Sequence, residues 1–99
     1  MGLSVLVETF TGERLATSVN PLLNQLIRSA NSCGLPLLGD VDHYDTTVFN
    51  QSQLPRLQLE LVELRSLVPP SEQDAVSELL ELADLVAKKP HRYLIFNGD

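Results

Sequence analysis

The sequence predicts an α+β domain: a small sheet that pairs the N- and C-terminal strands and is covered by about three helices. Three observations predict it. Both ends of the chain carry β-branched and aromatic residues in strand-like runs, Leu3 to Phe10 and Arg92 to Phe96. Three internal segments place apolar residues at helical spacing. A length of 99 residues suits one hydrophobic core and is too short for two. A helical bundle in which the terminal strands form only a ribbon is the alternative.

Val5 and Val7 alternate with Ser4 and Glu8, which defines the first strand. Thr11-Gly12-Glu13 forms a turn, and Leu15 to Val19 reads equally as a short strand or as the lead-in to a helix. Asn20 then offers an N-cap and Pro21 a first helical residue; Leu22, Leu23, Leu26, Ile27 and Ala30 line one face. Gly34 supplies a left-handed C-terminal cap, with Cys33 before it expected as a small packing residue. Leu35 to Leu38 is an apolar connector that its proline keeps extended and outside the sheet interior. Thr46 to Phe49 reads as a short strand, with Val48 or Phe49 as its anchor.

A second helix is expected from about Gln53 to Val68, capped by Ser52, with Leu54, Leu57, Leu61, Leu64 and Val68 as its stripe. Leu59, Val62 and Leu67 widen that stripe, which implies burial on two sides or an apolar flank available to a partner, a second copy included. Pro69-Pro70 breaks the chain. Ser71 opens a third helix that buries Val76, Leu79, Leu80, Ala83, Val86 and Ala87 and leaves Glu72, Glu78, Glu81 and Asp84 outside. Pro90 stops it, and Arg92 to Phe96 is the last strand, with Tyr93 expected in the core.

Thirteen acidic and seven basic residues give a net charge of −6. The excess is local: Gly34 to Val86 holds ten acids against Arg56 and Arg65, while the first 33 residues are neutral. Nucleic acid and anionic membrane are disfavoured as partners, because both need clustered Lys and Arg; a basic protein is the natural complement. One cysteine allows no internal disulfide and no Cys-pair zinc site, which fits a reducing, cytoplasmic setting. The N-terminal run is short and lacks a basic flank, so neither a signal peptide nor a membrane span is expected.

Chemistry-bearing residues concentrate in Gly39 to Leu54, above all Asp40, Asp42, His43, Tyr44 and Asp45. Begun at Asp40, an EF-hand loop would need an oxygen ligand, Gly and Glu where Tyr44, Asp45 and Gln51 stand. His43 has no partner four residues away, and His91 is remote, so no zinc pattern appears and no cofactor is expected. No G-x-S-x-G or glycine-rich phosphate loop occurs. Asp42 or Asp45 could orient His43 as a general base, or the aspartates could close Asx turns on their own backbone. As a contact surface, the same loop offers carboxylates to steer a basic partner and an aromatic ring to bury, with Glu78 and Glu81 as further acidic contacts.

The acidic D-x-Y-x-D-T-x-F-N loop (Asp42, Tyr44, Asp45, Thr46, Phe49, Asn50), the Gln53-Leu54-Pro55 helix start and the Tyr93 to Asp99 ending resemble a group of small uncharacterised bacterial proteins, over roughly residues 37 to 99. That resemblance implies no activity. In size, acidity and lack of catalytic motifs the chain is similar to immunity proteins and antitoxins. This implies a non-enzymatic inhibitor that occupies the basic active-site cleft of a toxin domain. The alternative is a small enzyme or ligand- or metal-binding domain centred on His43 and its aspartates.

Overall fold

The computed structural model describes residues 2–98. Its elements are β1 (Ser4–Thr9), β2 (Arg14–Ser18), α1 (Leu23–Ser32), a single 3-10 turn (Leu38–Asp40), β3 (Thr46–Phe49), α2 (Leu54–Leu67), α3 (Pro70–Ala87) and β4 (Arg92–Asn97). The four strands form one antiparallel sheet in the order β2-β1-β4-β3. The N- and C-terminal strands pair at its centre, as the sequence predicts, from Ser4 opposite Asn97 to Thr9 opposite Arg92.

Alternation along the strands fixes which face is covered. Val5 and Val7 of β1, Leu94 and Phe96 of β4 and Phe49 of β3 point to the helices and join one core with Leu26, Ile27, Leu57, Leu61, Val76 and Leu79. Phe49 and Phe96 meet edge to face with ring centroids 5.8 Å apart. All three helices contribute to that side. The opposite face is open, and Leu6, Ile95 and Val48 form a cross-strand row along it. Tyr93 lies on this open face too, half-buried, since it is out of phase with the core residues Leu94 and Phe96. The sequence expectation of a core tyrosine is corrected by one position of register.

The ambiguous Leu15 to Val19 segment is strand β2. Its pairing slips between Val7 and Glu8, opposite Ala16 and Arg14 respectively, so Leu15 is an extra residue and the period-two pattern is broken. α1 starts two residues later than expected: Asn20 Oδ1 accepts from Leu22 N at 2.9 Å, which makes Pro21 part of a turn before the helix. Gly34, at φ 77°, ends α1 in the left-handed conformation as anticipated. Cys33 beside it is exposed, because α1 turns Leu26, Ile27 and Ala30 inward and leaves residues 31–34 in water. The connector after it folds into the 3-10 turn rather than running extended.

The residue that shapes the entry to α2 is Asn50 rather than Ser52. Asn50 Oδ1 accepts from Gln53 N, and Gln53 Oε1 accepts from Asn50 N at 3.0 Å, a reciprocal capping pair. Gln51, between them, donates to the carbonyls of Val86 and Lys89 and so satisfies the end of α3. α3 begins at Pro70 and buries Ala75, Val76, Leu79, Leu82, Ala83 and Val86; Leu80 is half-buried and Ala87 exposed. Glu72, expected outside, is 5% exposed and accepts from Gln25 of α1 at 3.1 Å.

Candidate functional site

The acidic stretch forms the loop between the 3-10 turn and β3, at one edge of the sheet. Glu60 of α2 sets its start. Only 3% exposed, it accepts from Leu37 N at 3.1 Å and Leu38 N at 2.9 Å, the donors that open the 3-10 turn, and it pairs with Arg56 at 3.5 Å. Asn31 donates to the Gly39 carbonyl at 3.0 Å, and the buried Val41 side chain pins the segment to the core. Asp40 is exposed between them.

Beyond Val41 the loop satisfies its own backbone. Asp42 N donates to Thr47 Oγ1 at 3.0 Å, Asp42 Oδ1 accepts from Tyr44 N at 2.8 Å, and Asp45 Oδ1 accepts from Thr46 N at 2.8 Å. These bonds shape the loop while both carboxylates remain exposed. Tyr44, held between them, is 80% exposed, the most of any large hydrophobic side chain described. The last strand closes the loop from the other side: Gly98 N donates to Asp45 O, and Thr46 Oγ1 to Asn97 Oδ1, both at 2.9 Å. A Cβ at Gly98 would stand 2.6 Å from Asp45 N and from the His43 carbonyl carbon, so only glycine permits this approach.

His43 turns the other way, half-buried against α1. Its Nδ1 meets the Asn24 side-chain amide nitrogen at 3.0 Å, and Asn24 Oδ1 accepts from Leu3 N, which fixes the amide's orientation. Its hydrogen-bond partner is therefore a neutral amide, not Asp42 or Asp45, and the imidazole–carboxylate pair of a general base is not assembled. A shallow cleft of about 430 Å³ beside it is lined by Arg28, Asn31, Ser32, Gly39, Val41 and His43, without any of the loop's carboxylates. Among the described residues no three His, Cys, Asp or Glu side chains are grouped to hold a metal ion.

Of the seven residues singled out from the sequence, Asp42, His43, Tyr44 and Asp45 share this loop and Asp40 ends the 3-10 turn before it. Glu78 and Glu81 are exposed on α3, and Glu78 accepts the hydroxyl hydrogen of Ser18 on β2. β2 is three strand positions from β3, roughly 14 Å across the sheet. Glu78 thus flanks the opposite edge, with Glu81 one turn further along the same helix. The residues that build the site and were not singled out are Glu60, Asn24, Thr47 and Gly98. Gly98 carried a signal, as a glycine following a strand directly, and Thr47 lies only five residues from the Asp42 N–H whose bond it accepts; Glu60 and Asn24 act through contacts distant in sequence.

No helix among the described residues is long and apolar enough to cross a membrane. Compared with protein-family models, with curated proteins and with solved structures, the chain finds no match in any of the three.

Proposed function

We propose that this is a non-enzymatic, cytoplasmic binding protein whose acidic loop docks into a basic cleft of another protein, in the manner of an immunity protein or antitoxin that blocks a bacterial toxin. One observation carries the reading: Tyr44 stands 80% exposed between the exposed carboxylates of Asp42 and Asp45, on a loop that its own hydrogen bonds hold in place. A loop whose backbone is already held leaves only side-chain entropy to be lost when the ring is buried, and flanking charges raise the encounter rate with a positive surface. Asp40 extends the same negative edge. Glu78, at the other edge of the sheet, and Glu81 on the same helix would meet only a partner large enough to wrap the domain.

The test compares the wild-type chain with Asp42→Lys/Asp45→Lys and with Tyr44→Ala, each immobilised and exposed to host extract. A captured basic protein is then identified and assayed for toxicity with and without this chain. The reading expects capture that both variants lose, that weakens as salt rises, and that abolishes toxicity. Capture that survives the double charge reversal at low and high salt alike refutes it.

A further inference from the structure

We propose that the outward ridge of α2 is a contact between two copies of this chain, which pair their second helices antiparallel about a two-fold axis. The proposal is separate from the acidic loop and goes beyond it. Among the described residues seven large hydrophobic side chains are exposed, and three of them, Leu59, Val62 and Leu67, belong to this helix. Leu54, Leu57, Leu61 and Leu64 already fill the core side of α2. At 3.6 residues per turn, Pro55, Leu59, Val62 and Ser66 fall on the side facing away from it. Their spacing of four, three and four is that of a two-helix seam, with Leu59 and Val62 at its centre, 68% and 59% exposed.

The charges beside the seam say what covers it. Arg56 and Glu63 follow Pro55 and Val62 directly, so both lie on one flank, two turns apart. In an antiparallel pair related by a two-fold axis, this flank of one helix faces the same flank of the other, running in reverse. Arg56 of one copy then stands about 3 Å along the axis from Glu63 of the second, within side-chain reach, and Glu63 likewise from Arg56. A parallel pair would bring this flank against Gln58 and Arg65 instead, and Arg65 is already engaged, its Nε donating to Ser77 Oγ at 2.8 Å. Among the described residues Glu63 has no ion-pair partner, while Arg56, 64% exposed, forms an ion pair only with the buried Glu60. For a chain of net charge −6, this neutral and self-complementary strip is a place where two copies meet without opposing carboxylates.

The seam is roughly 17 Å long, which puts the contact at the small end of specific interfaces. Sedimentation velocity of the full chain is therefore run from about 10 µM to about 1 mM, with urea midpoints measured for every variant. The wild type is expected to pass from monomer to dimer in that range. Leu59→Asp and Val62→Asp should each stay monomeric throughout while remaining folded, since both side chains point to water. Arg56→Glu and Glu63→Arg should each self-associate about tenfold more weakly, because the two-fold axis breaks both ion pairs at once. An equimolar mixture of those two should recover the dimer, as each then offers the charge the other lacks. A wild type that is monomeric at every concentration overturns the proposal and leaves the ridge to a different protein. A dimer that survives Leu59→Asp and Val62→Asp places the contact elsewhere, and a mixture no stronger than its components rules out the antiparallel register.

Discussion

Replacing Glu60 with alanine tests how the acidic loop is held to the scaffold. The carboxylate accepts from two backbone N–H groups, Leu38 through a fully buried bond and Leu37 through a partly buried one. Without it, the Leu38 amide is stranded away from water, while the half-buried Leu37 amide can be rehydrated in part. At about 1 to 3 kcal/mol per orphaned buried donor, Glu60→Ala should cost about 3 kcal/mol. That is a large fraction of the roughly 5 to 15 kcal/mol that holds a domain of this size.

With a urea slope of about 1 to 1.5 kcal/mol per molar, the unfolding midpoint should fall by roughly 2 to 3 M. Glu60→Gln keeps one carbonyl oxygen toward the turn and should cost about 1 kcal/mol, the loss of charge on the bond. Arg56→Ala removes only a mostly exposed ion-pair partner and should cost about 0.5 kcal/mol or less. Hydrogen exchange adds a local readout, since the Leu37 and Leu38 amides should lose protection in Glu60→Ala ahead of the sheet amides. If Glu60→Ala unfolds within 1 kcal/mol of the wild type, or if Arg56→Ala matches it, backbone capping is not what Glu60 does.

Two further outcomes follow from other contacts. Gly98→Ala should leave α1, α2 and the β1–β4 pairing intact but push the loop off the end of β4, because its Cβ would meet backbone at 2.6 Å. Amide shifts confined to residues 42–47 and a loss of about 1 to 2 kcal/mol are expected, and unchanged shifts there would refute the close approach. Cys33, exposed at the end of α1, should react to completion with a thiol reagent in the native protein. A requirement for denaturant would show that it packs after all.

The architecture was legible where local pattern and tertiary role agree. Val5 and Val7, the Leu57, Leu61, Leu64 series and the Val76, Leu79, Ala83, Val86 series each report their burial through their own spacing. Reading failed where a contact far along the chain decides. Glu72 shares the spacing of Val76, Leu79 and Ala83, and only its charge argued for the outer face; the bond from Gln25 of α1, 47 positions away, is what accommodates it inside. Leu15 is displaced by a bulge that only its pairing with β1 defines. Ser52 stands nearer the helix start and is as good a cap as Asn50 by residue preference, but the Asn50 and Gln53 pair wins by satisfying two donors at once. For the acidic loop, the sequence indicated which side chains cluster and offered the aspartates as partners for their own backbone. It held no trace of Asn24 as the partner of His43, nineteen positions away.

The order of the strands has a kinetic consequence. β4 is the last strand to be synthesised, yet it lies between β1 and β3, which do not touch each other. Until it emerges, Thr46 to Phe49 has no neighbour to zip against, and the nascent chain can complete only the β1–β2 hairpin and its three helices. Forming the native sheet therefore requires closing the long loop between β1 and β4, and a ribosome-stalled chain ending after α3 should still be cut by protease at its acidic turn.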